Sequence, residues 1–199
     1  MESMTEQEAR RQRRARFEGL AHVVTKPLHR YLSRRTAPDM VEDVLSETML
    51  VLWRRIDHVP GLRNGSLPDR DEVLPWCYGV ARGCLANARR ADGRRLRLVE
   101  RLTSAQQAPV SQAPGPVVTD HSELHAALAA LGELDREVIR LWAWEELAPR
   151  QIAEATGLTA NAVSVRLHRA KKKIAERLQS GRKNAERAGH KMSEGRSGQ

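Results

Sequence analysis

The densest set of side chains suited to a specific chemistry lies between Leu147 and Lys173, and that chemistry is the reading of nucleic acid. The run Leu147-Ala-Pro-Arg-Gln-Ile-Ala-Glu-Ala-Thr-Gly-Leu-Thr-Ala-Asn-Ala-Val163 has the spacing of a helix-turn-helix. A short helix holding Ile152 and Ala153 leads to Gly157, which tolerates the positive φ that a tight turn demands. Leu158 plugs the angle between the helices, and Thr159 can cap the second one. That second helix keeps Val163, Leu167, Ala170, Ile174 and Leu178 for the core, so Asn161, Ser164, Val165, His168, Arg169 and Lys172 lie on the opposite side. Base edges in a major groove are read by such short polar and Arg side chains near a helix N-terminus. Arg166, Arg169, Lys171, Lys172 and Lys173 form a cluster of mutually repelling cations, better explained by phosphate contacts than by solubility alone. Arg166 joins Asn161 and Ser164 in the expected reading set, and the lysines fall where the helix should pass phosphates. The plain alternative is an αα-corner with a solvated, charged face.

Covalent chemistry has no comparable footing. The chain shows no P-loop, no HExxH, no nucleophile elbow and no Gly-rich dinucleotide loop, and its seven histidines are scattered. Neither a catalytic site nor a cofactor is expected. The two cysteines, Cys77 and Cys84, are seven residues apart on a helix-like segment, hence about 10 Å apart on one face, too far for a disulfide. They read as small core residues, and no ligand pairs at zinc spacing accompany them, so no metal is expected.

Composition agrees with a nucleic-acid partner. The 34 Lys and Arg outnumber the 25 Asp and Glu, for a formal charge of +9 and a pI of about 10.3. With 199 residues, 40% of them hydrophobic, the chain can bury one ordinary core or two small ones. Aromatic residues make up 4%, and Ala, Leu, Arg and Glu dominate, so the expected class is all-α. No apolar run reaches the length of a membrane span and no signal-peptide core is visible near the N-terminus, so no membrane insertion and a cytoplasmic location are expected.

The elements that must position these residues follow from periodicity. Residues 1–16 carry mixed charge with five arginines and read as a solvated arm or the exposed start of a helix. From Phe17 to Arg35, Leu20, Val23, Val24, Leu28, Tyr31 and Leu32 keep helical spacing, with Pro27 expected to bend or interrupt the helix. A second helix opens at Pro38, buries Val41, Leu45, Thr48, Leu52 and Ile56, and stops at Pro60-Gly61. Turn chemistry fills residues 61–71. Leu74-Pro75-Trp76 then opens a helix with Trp76, Val80, Cys84 and Asn87 on one side, which becomes strongly basic through Arg82, Arg89, Arg90, Arg94, Arg95, Arg97 and Arg101. Residues 103–120, rich in Ala, Gln, Ser, Pro and Gly, read as a flexible linker. Four helices follow: Ser122 to Leu131, Leu134 to Ala143, Ala148 to Thr156, and Thr159 to about Gln179. The polar tail from Ser180 to Gln199 is expected to be disordered. The expected architecture is two small helical domains joined by a flexible linker, the C-terminal one containing the helix-turn-helix.

Both halves carry a resemblance. The pairing of Asp39-Met-Val-Glu-Asp-Val-Leu-Ser-Glu-Thr-Met-Leu-Val-Leu-Trp53-Arg-Arg with Pro75-Trp-Cys-Tyr-Gly-Val-Ala-Arg82 resembles the polymerase-binding domain of the sigma-70 family. Leu134-Asp-Arg-Glu-Val-Ile-Arg-Leu141, Glu146-Leu-Ala-Pro-Arg-Gln-Ile-Ala153 and Val163-Ser-Val-Arg-Leu-His-Arg-Ala170 are similar to that family's promoter-reading domain. Domain order, length and linker resemble the extracytoplasmic-function group. The resemblance covers residues 17–102, as a region 2-like domain, and 121–179, as a region 4-like domain.

It implies an RNA polymerase specificity subunit without a reaction of its own, whose partners are core RNA polymerase, through the β′ clamp helices and the β flap, and promoter DNA. In the family the helix around Asp43 and Glu47 docks on the clamp helices, and here Asp43, Glu47 and Leu50 form a stripe away from the Val41/Leu45/Leu52 face. A solvated helix face is the plain alternative, and Ser46 stands where the family often has Gln. The helix and loop from Trp76 to Arg95 correspond to the part that opens the -10 element and captures unstacked bases. Trp76, Tyr78, Arg82, Asn87, Arg89, Arg90 and Arg94 are its candidates here, although core is the stronger reading for Trp76. Gly83 stands where the family often has Asn, which turns base reading toward Asn87 or backbone groups. The C-terminal domain is implied to read the -35 element and touch the β flap, with Ser164 and Val165 where relatives often carry Lys and Ser, so the hexamer does not transfer. A cognate anti-sigma factor is common in the group, and no residue here identifies one. A stand-alone helix-turn-helix regulator is the competing function; it leaves the N-terminal pattern unexplained.

Overall fold

The computed structural model describes the backbone of residues 2–62, 68–102 and 122–194, and side chains over 5–62, 68–97 and 123–180. Seven helices and one 3-10 turn make up the described residues, with no strand among them. The chain divides into two compact units, the first built on α1 to α3 and the second holding α4, α5, α7 and most of α6.

In the first unit, α1 (Glu2–Ser33), α2 (Pro38–Arg54) and α3 (Arg70–Leu102) pack against one another. Helix α1 contributes Leu20, Val24, Leu28, Tyr31 and Leu32 to the core, all essentially inaccessible to solvent. It begins at Glu2, so the arginine-rich arm is its first half, and it continues through Pro27 without interruption. A proline there costs one intrahelical bond, and the buried apolar residues on both sides of it keep the helix in place. Helix α2 starts with Pro38 in its first turn, where the missing N–H is no loss. It buries Val41, Val44, Leu45, Thr48 and Leu52. The Thr48 hydroxyl donates to the Val44 carbonyl at 2.7 Å, which satisfies it inside the core. The helix ends at Arg54, earlier than Pro60-Gly61, and the chain turns through a 3-10 segment at Ile56–His58 that still buries Ile56.

Helix α3 begins at Arg70 rather than near Pro75; just before it, the Asp69 carboxylate accepts from the Asp71 N–H at 2.9 Å. The inward face of α3 is set by its packing against α1 and α2. Val73, Leu74, Cys77, Tyr78, Ala81, Cys84 and Leu85 are buried, whereas Trp76 and Val80 are half-buried and Asn87 is exposed. Tyr78, a candidate for base stacking, instead packs on Tyr31 with ring centroids 5.1 Å apart.

The second unit is built on α4 (Ser122–Ala129), α5 (Glu133–Ala143), the larger part of α6 (Pro149–Thr156) and α7 (Ala160–Glu194). Its core gathers Leu128, Leu131, Val138, Ile139, Leu141, Leu147, Ile152, Val163, Leu167 and Ala170. Arg136 closes the end of α4, donating to the carbonyls of Leu128 at 2.9 Å, Ala129 at 2.7 Å and Leu131 at 2.8 Å. Before α6 the Gln151 side chain accepts from the Ala148 N–H at 2.9 Å, the return half of a capping box, with Pro149 in the first turn. Helix α7 extends to Glu194, far past the expected end near Gln179, so most of the expected disordered tail is helical. Its Ala, Glu, Arg and Lys content sustains helix after the apolar periodicity has ended. The linker expected at 103–120 lies outside the described residues.

Candidate nucleic-acid interface

The helix-turn-helix forms where the sequence put it. Gly157 has φ +74, the left-handed conformation that lets α6 turn sharply into α7. The Thr159 hydroxyl accepts from the Ala162 N–H at 3.2 Å and caps α7. Val163, Leu167 and Ala170 are buried, while Ile174 and Leu178 are half-buried as the helix leaves the core. Asn161, Ser164, Val165, His168, Arg169 and Lys172 are all exposed, and Val165 shows 42% of its surface, more than a core Val would. Ser164 also donates to the Ala160 carbonyl at 3.0 Å, which keeps its lone pairs outward on the first turns.

Two cations have duties inside the domain. Arg166 pairs with Asp135 on α5 at 2.6 Å, a partly buried tie that fixes the recognition helix against α5. The Lys171 ammonium sits 3.5 Å from the centre of the Trp142 ring, a cation–π contact. Lys172 remains outward, 3.9 Å from Glu176 one turn on.

On α3, Asn87, Arg89, Arg90 and Arg94 are exposed and Arg82 is half-buried. Arg89 donates to the Arg35 carbonyl, tying α3 to the end of α1. Arg90 donates to the Asn87 side-chain oxygen one turn before it, so these two act as a unit. Gly83 has open space where a Cβ would stand.

On α2, Asp43, Glu47 and Leu50 are exposed, and Leu50 shows 41% of its surface. Val44, Leu45, Thr48 and Leu52 hold the opposite face in the core, so the stripe is presented by a fixed helix.

An apolar groove of 340 Å³ on the second unit escaped sequence reasoning. Leu124, Leu128, Ile139, Trp142, Trp144 and Ile174 line it, drawn from α4, α5, the residue after α5, and α7. Trp142 is 42% exposed and Trp144 37%, unusual for the largest apolar side chains. The only signal in the sequence is two Trp two residues apart at a helix end, which periodicity treats as core.

Among the described residues no group of three or more His, Cys, Asp or Glu is placed to hold a metal ion. Both cysteines are buried and free. Burial pushes the Cys77 thiol up to about 12, and burial likewise raises Cys84 while a hydrogen bond with Thr48 pulls the other way.

Residues 121–174 match the family described as Sigma-70, region 4. The ECF RNA polymerase sigma factor SigF of Caulobacter vibrioides is 30% identical over 163 residues, 81% of this chain and 84% of that protein. The chain belongs to the ECF RNA polymerase sigma factors. This sigma factor is also 28% identical over 157 residues to the RNA polymerase sigma-E factor of Streptomyces avermitilis, spanning 74% of this chain and 77% of that one. In fold it is similar to the sigma factor RpoE from Bartonella quintana, solved with the anti-sigma factor NepR. That likeness has a TM-score of 0.57 at 21% identity and covers 82% of this chain and 96% of that one. Its function is therefore that of a transcription initiation factor for RNA polymerase, not of a stand-alone regulator.

Proposed function

We propose that this sigma factor docks core RNA polymerase with one unit and reads promoter DNA with both, and that it has no reaction of its own. In this reading residues 17–102 form the docking and -10 domain, residues 121–179 the -35 domain, and 103–120 the linker. The exposed Asp43, Glu47 and Leu50 on α2 meet the β′ clamp helices, an acidic and apolar stripe facing a basic partner. Trp76, Arg82, Asn87, Arg89, Arg90 and Arg94 form the -10 surface, where cations hold the displaced strand's phosphates. On α7, Asn161, Ser164, Val165, His168 and Arg169 face the -35 bases and Lys172 the backbone. Arg166 acts there through its bond to Asp135, fixing the angle of the helix rather than reaching a base.

The observation that carries the reading is the helix-turn-helix itself: a capped recognition helix, entered through a left-handed Gly157, whose outward face is polar at its start and cationic in the turns that follow. The apolar groove beneath Trp142 and Trp144 is the proposed seat of the β flap, because Lys171 and Arg140 lie over the two indoles and suit an apolar segment with acidic neighbours. An anti-sigma factor is a further proposed partner, on the strength of the likeness to the chain solved with NepR. No helix among the described residues is long and apolar enough to cross a membrane, and a chain that works on polymerase is placed in the cytoplasm.

Run-off transcription is the test. The chain alone should give no transcript, and with core polymerase it should give discrete start sites. Reversing charge at Asp43 and Glu47 should abolish those starts by preventing assembly. A mixture with no specific start, or unchanged assembly after the reversal, removes the docking assignment.

A further inference from the structure

Two arginines in the first half of α1 make long-range hydrogen bonds at the C-terminal end of α2 and the 3-10 turn just after it. Arg13 donates one guanidinium nitrogen to the carbonyls of Trp53 at 3.2 Å and Arg54 at 3.3 Å. One turn later Arg16 donates to the Ile56 carbonyl at 3.3 Å and to the Asp57 carboxylate at 2.8 Å. The Trp53 ring packs beside them, with Arg13 5.2 Å from its centre and Phe17 edge-on at 5.2 Å. The Arg16 side chain is only 19% exposed, although residues 5–12 are all exposed. Two arginines that a sequence places in a solvated arm are therefore committed to backbone 40 residues away.

The physical need lies on α2. The last carbonyls of a helix have no partner within it, and the helix dipole leaves that end negative. Guanidinium supplies both the donors and the charge: Arg13 bridges two adjacent carbonyls with one nitrogen, and Arg16 spreads the two arms of its fork over a carbonyl and a carboxylate, which one ammonium nitrogen cannot do. Leu50 of the exposed stripe is one turn before Trp53, and the next position along the same stripe is Arg54, exposed and one of the two residues whose carbonyls Arg13 holds.

We infer that Arg13 and Arg16 are positioning residues for polymerase binding: Arg13 caps α2 from outside, Arg16 pins the 3-10 turn that follows it, and together they hold the stripe's last turn in its docking register. This rests on the assignment of Asp43, Glu47 and Leu50 as the docking stripe. The arm then acts through α2 and needs no contact with polymerase.

The experiment uses the full chain and measures its affinity for core RNA polymerase together with amide exchange across α2. Arg13→Ala with Arg16→Ala should weaken binding about tenfold, the scale of one charged hydrogen bond. Exchange should accelerate at the last turn of α2 and stay unchanged in α3. Arg13→Lys with Arg16→Lys, which keeps the charge and loses the fork, should recover part of the loss, and this pair carries the test if the Ala pair does not fold. In a background of Asp43→Asn with Glu47→Gln the Arg substitutions should cost much less, because the stripe they position has lost its contacts. Full affinity in the Ala pair overturns the inference. So does an equal loss in both backgrounds, which marks a direct arm contact or general unfolding. If Asp43→Asn with Glu47→Gln leaves binding intact, the docking stripe itself falls and the inference with it; a normal loss there beside an unaffected arm variant overturns the inference alone.

Discussion

Replacing Gly157 by Ala should loosen the second unit through the backbone alone. The residue sits at φ +74, and a Cβ built there meets nothing within 4 Å, so no steric term enters. A left-handed placement costs an L side chain about 1–2 kcal/mol. Ala also restricts the unfolded chain, which returns about 0.4–1 kcal/mol. The net loss is roughly 1 kcal/mol, or about fivefold in the folded-to-unfolded ratio. Asn, which adopts this conformation more readily, should lose less than Ala. Gly93 in α3 is the control, since it also faces open space but has no positive φ; Ala there should stabilise by about 0.5–1 kcal/mol. The assay is urea denaturation of the full chain. Trp142 and Trp144 fluorescence in a Trp53→Phe, Trp76→Phe background follows the second unit, and far-UV circular dichroism follows the Gly93 variant. Because Gly157 sets the angle at which α7 leaves α6, affinity of the polymerase complex for the -35 element should fall with stability. A Gly157→Ala protein as stable as the parent, or two glycines that respond alike, refutes the argument that backbone conformation decides the cost.

Arg166→Ala and Asp135→Ala should each destabilise the second unit, and a double-mutant cycle by urea melts should give a coupling of about 1 kcal/mol, modest because the Arg is over a third exposed; additive losses would show that the pair contributes nothing. Lys172→Ala with Lys173→Ala should weaken polymerase-complex binding to all DNA alike and flatten its salt dependence by about one in slope per lost phosphate contact. Asn161→Ala or Ser164→Ala should instead cost about 1–3 kcal/mol on the preferred -35 sequence and little on random DNA; titrations on both DNAs that reverse this pattern would move the recognition register. Cys77 has its thiol raised from 9.0 to about 12 by burial, so the folded state holds that proton more tightly than the unfolded state does. Its contribution to stability is complete below pH 9 and should be lost as pH rises from there toward 12, and thiol labelling of the folded chain at pH 8.5 should be slow at this position. Rapid labelling without unfolding would contradict its burial.

The helix-turn-helix was legible in the sequence because every interaction that defines it is local. Gly157 takes its φ at a fixed place between two short helices, Thr159 reaches an N–H three residues on, and the 3.6-residue period alone separates Val163 and Leu167 from Asn161, Ser164 and His168. The outward stripe of Asp43, Glu47 and Leu50 was legible for the same reason. Tyr78 was misread as a base-stacking candidate because an aromatic among arginines suits nucleic acid as well as a core, and only its packing on Tyr31 of α1 decides between the two. What the tertiary structure alone decided are contacts between residues far apart in the chain. Arg13 reaches the end of α2, Arg166 finds Asp135 across 31 positions, and the two indoles after Leu141 frame a groove whose other walls are Leu124 and Leu128 of α4 and Ile174 of α7. A helical period fixes which side of a helix a residue occupies but not which neighbouring helix or carbonyl comes to meet it. That choice is made by the packing of whole helices, and a charged side chain drawn onto a helix end or into an ion pair follows it.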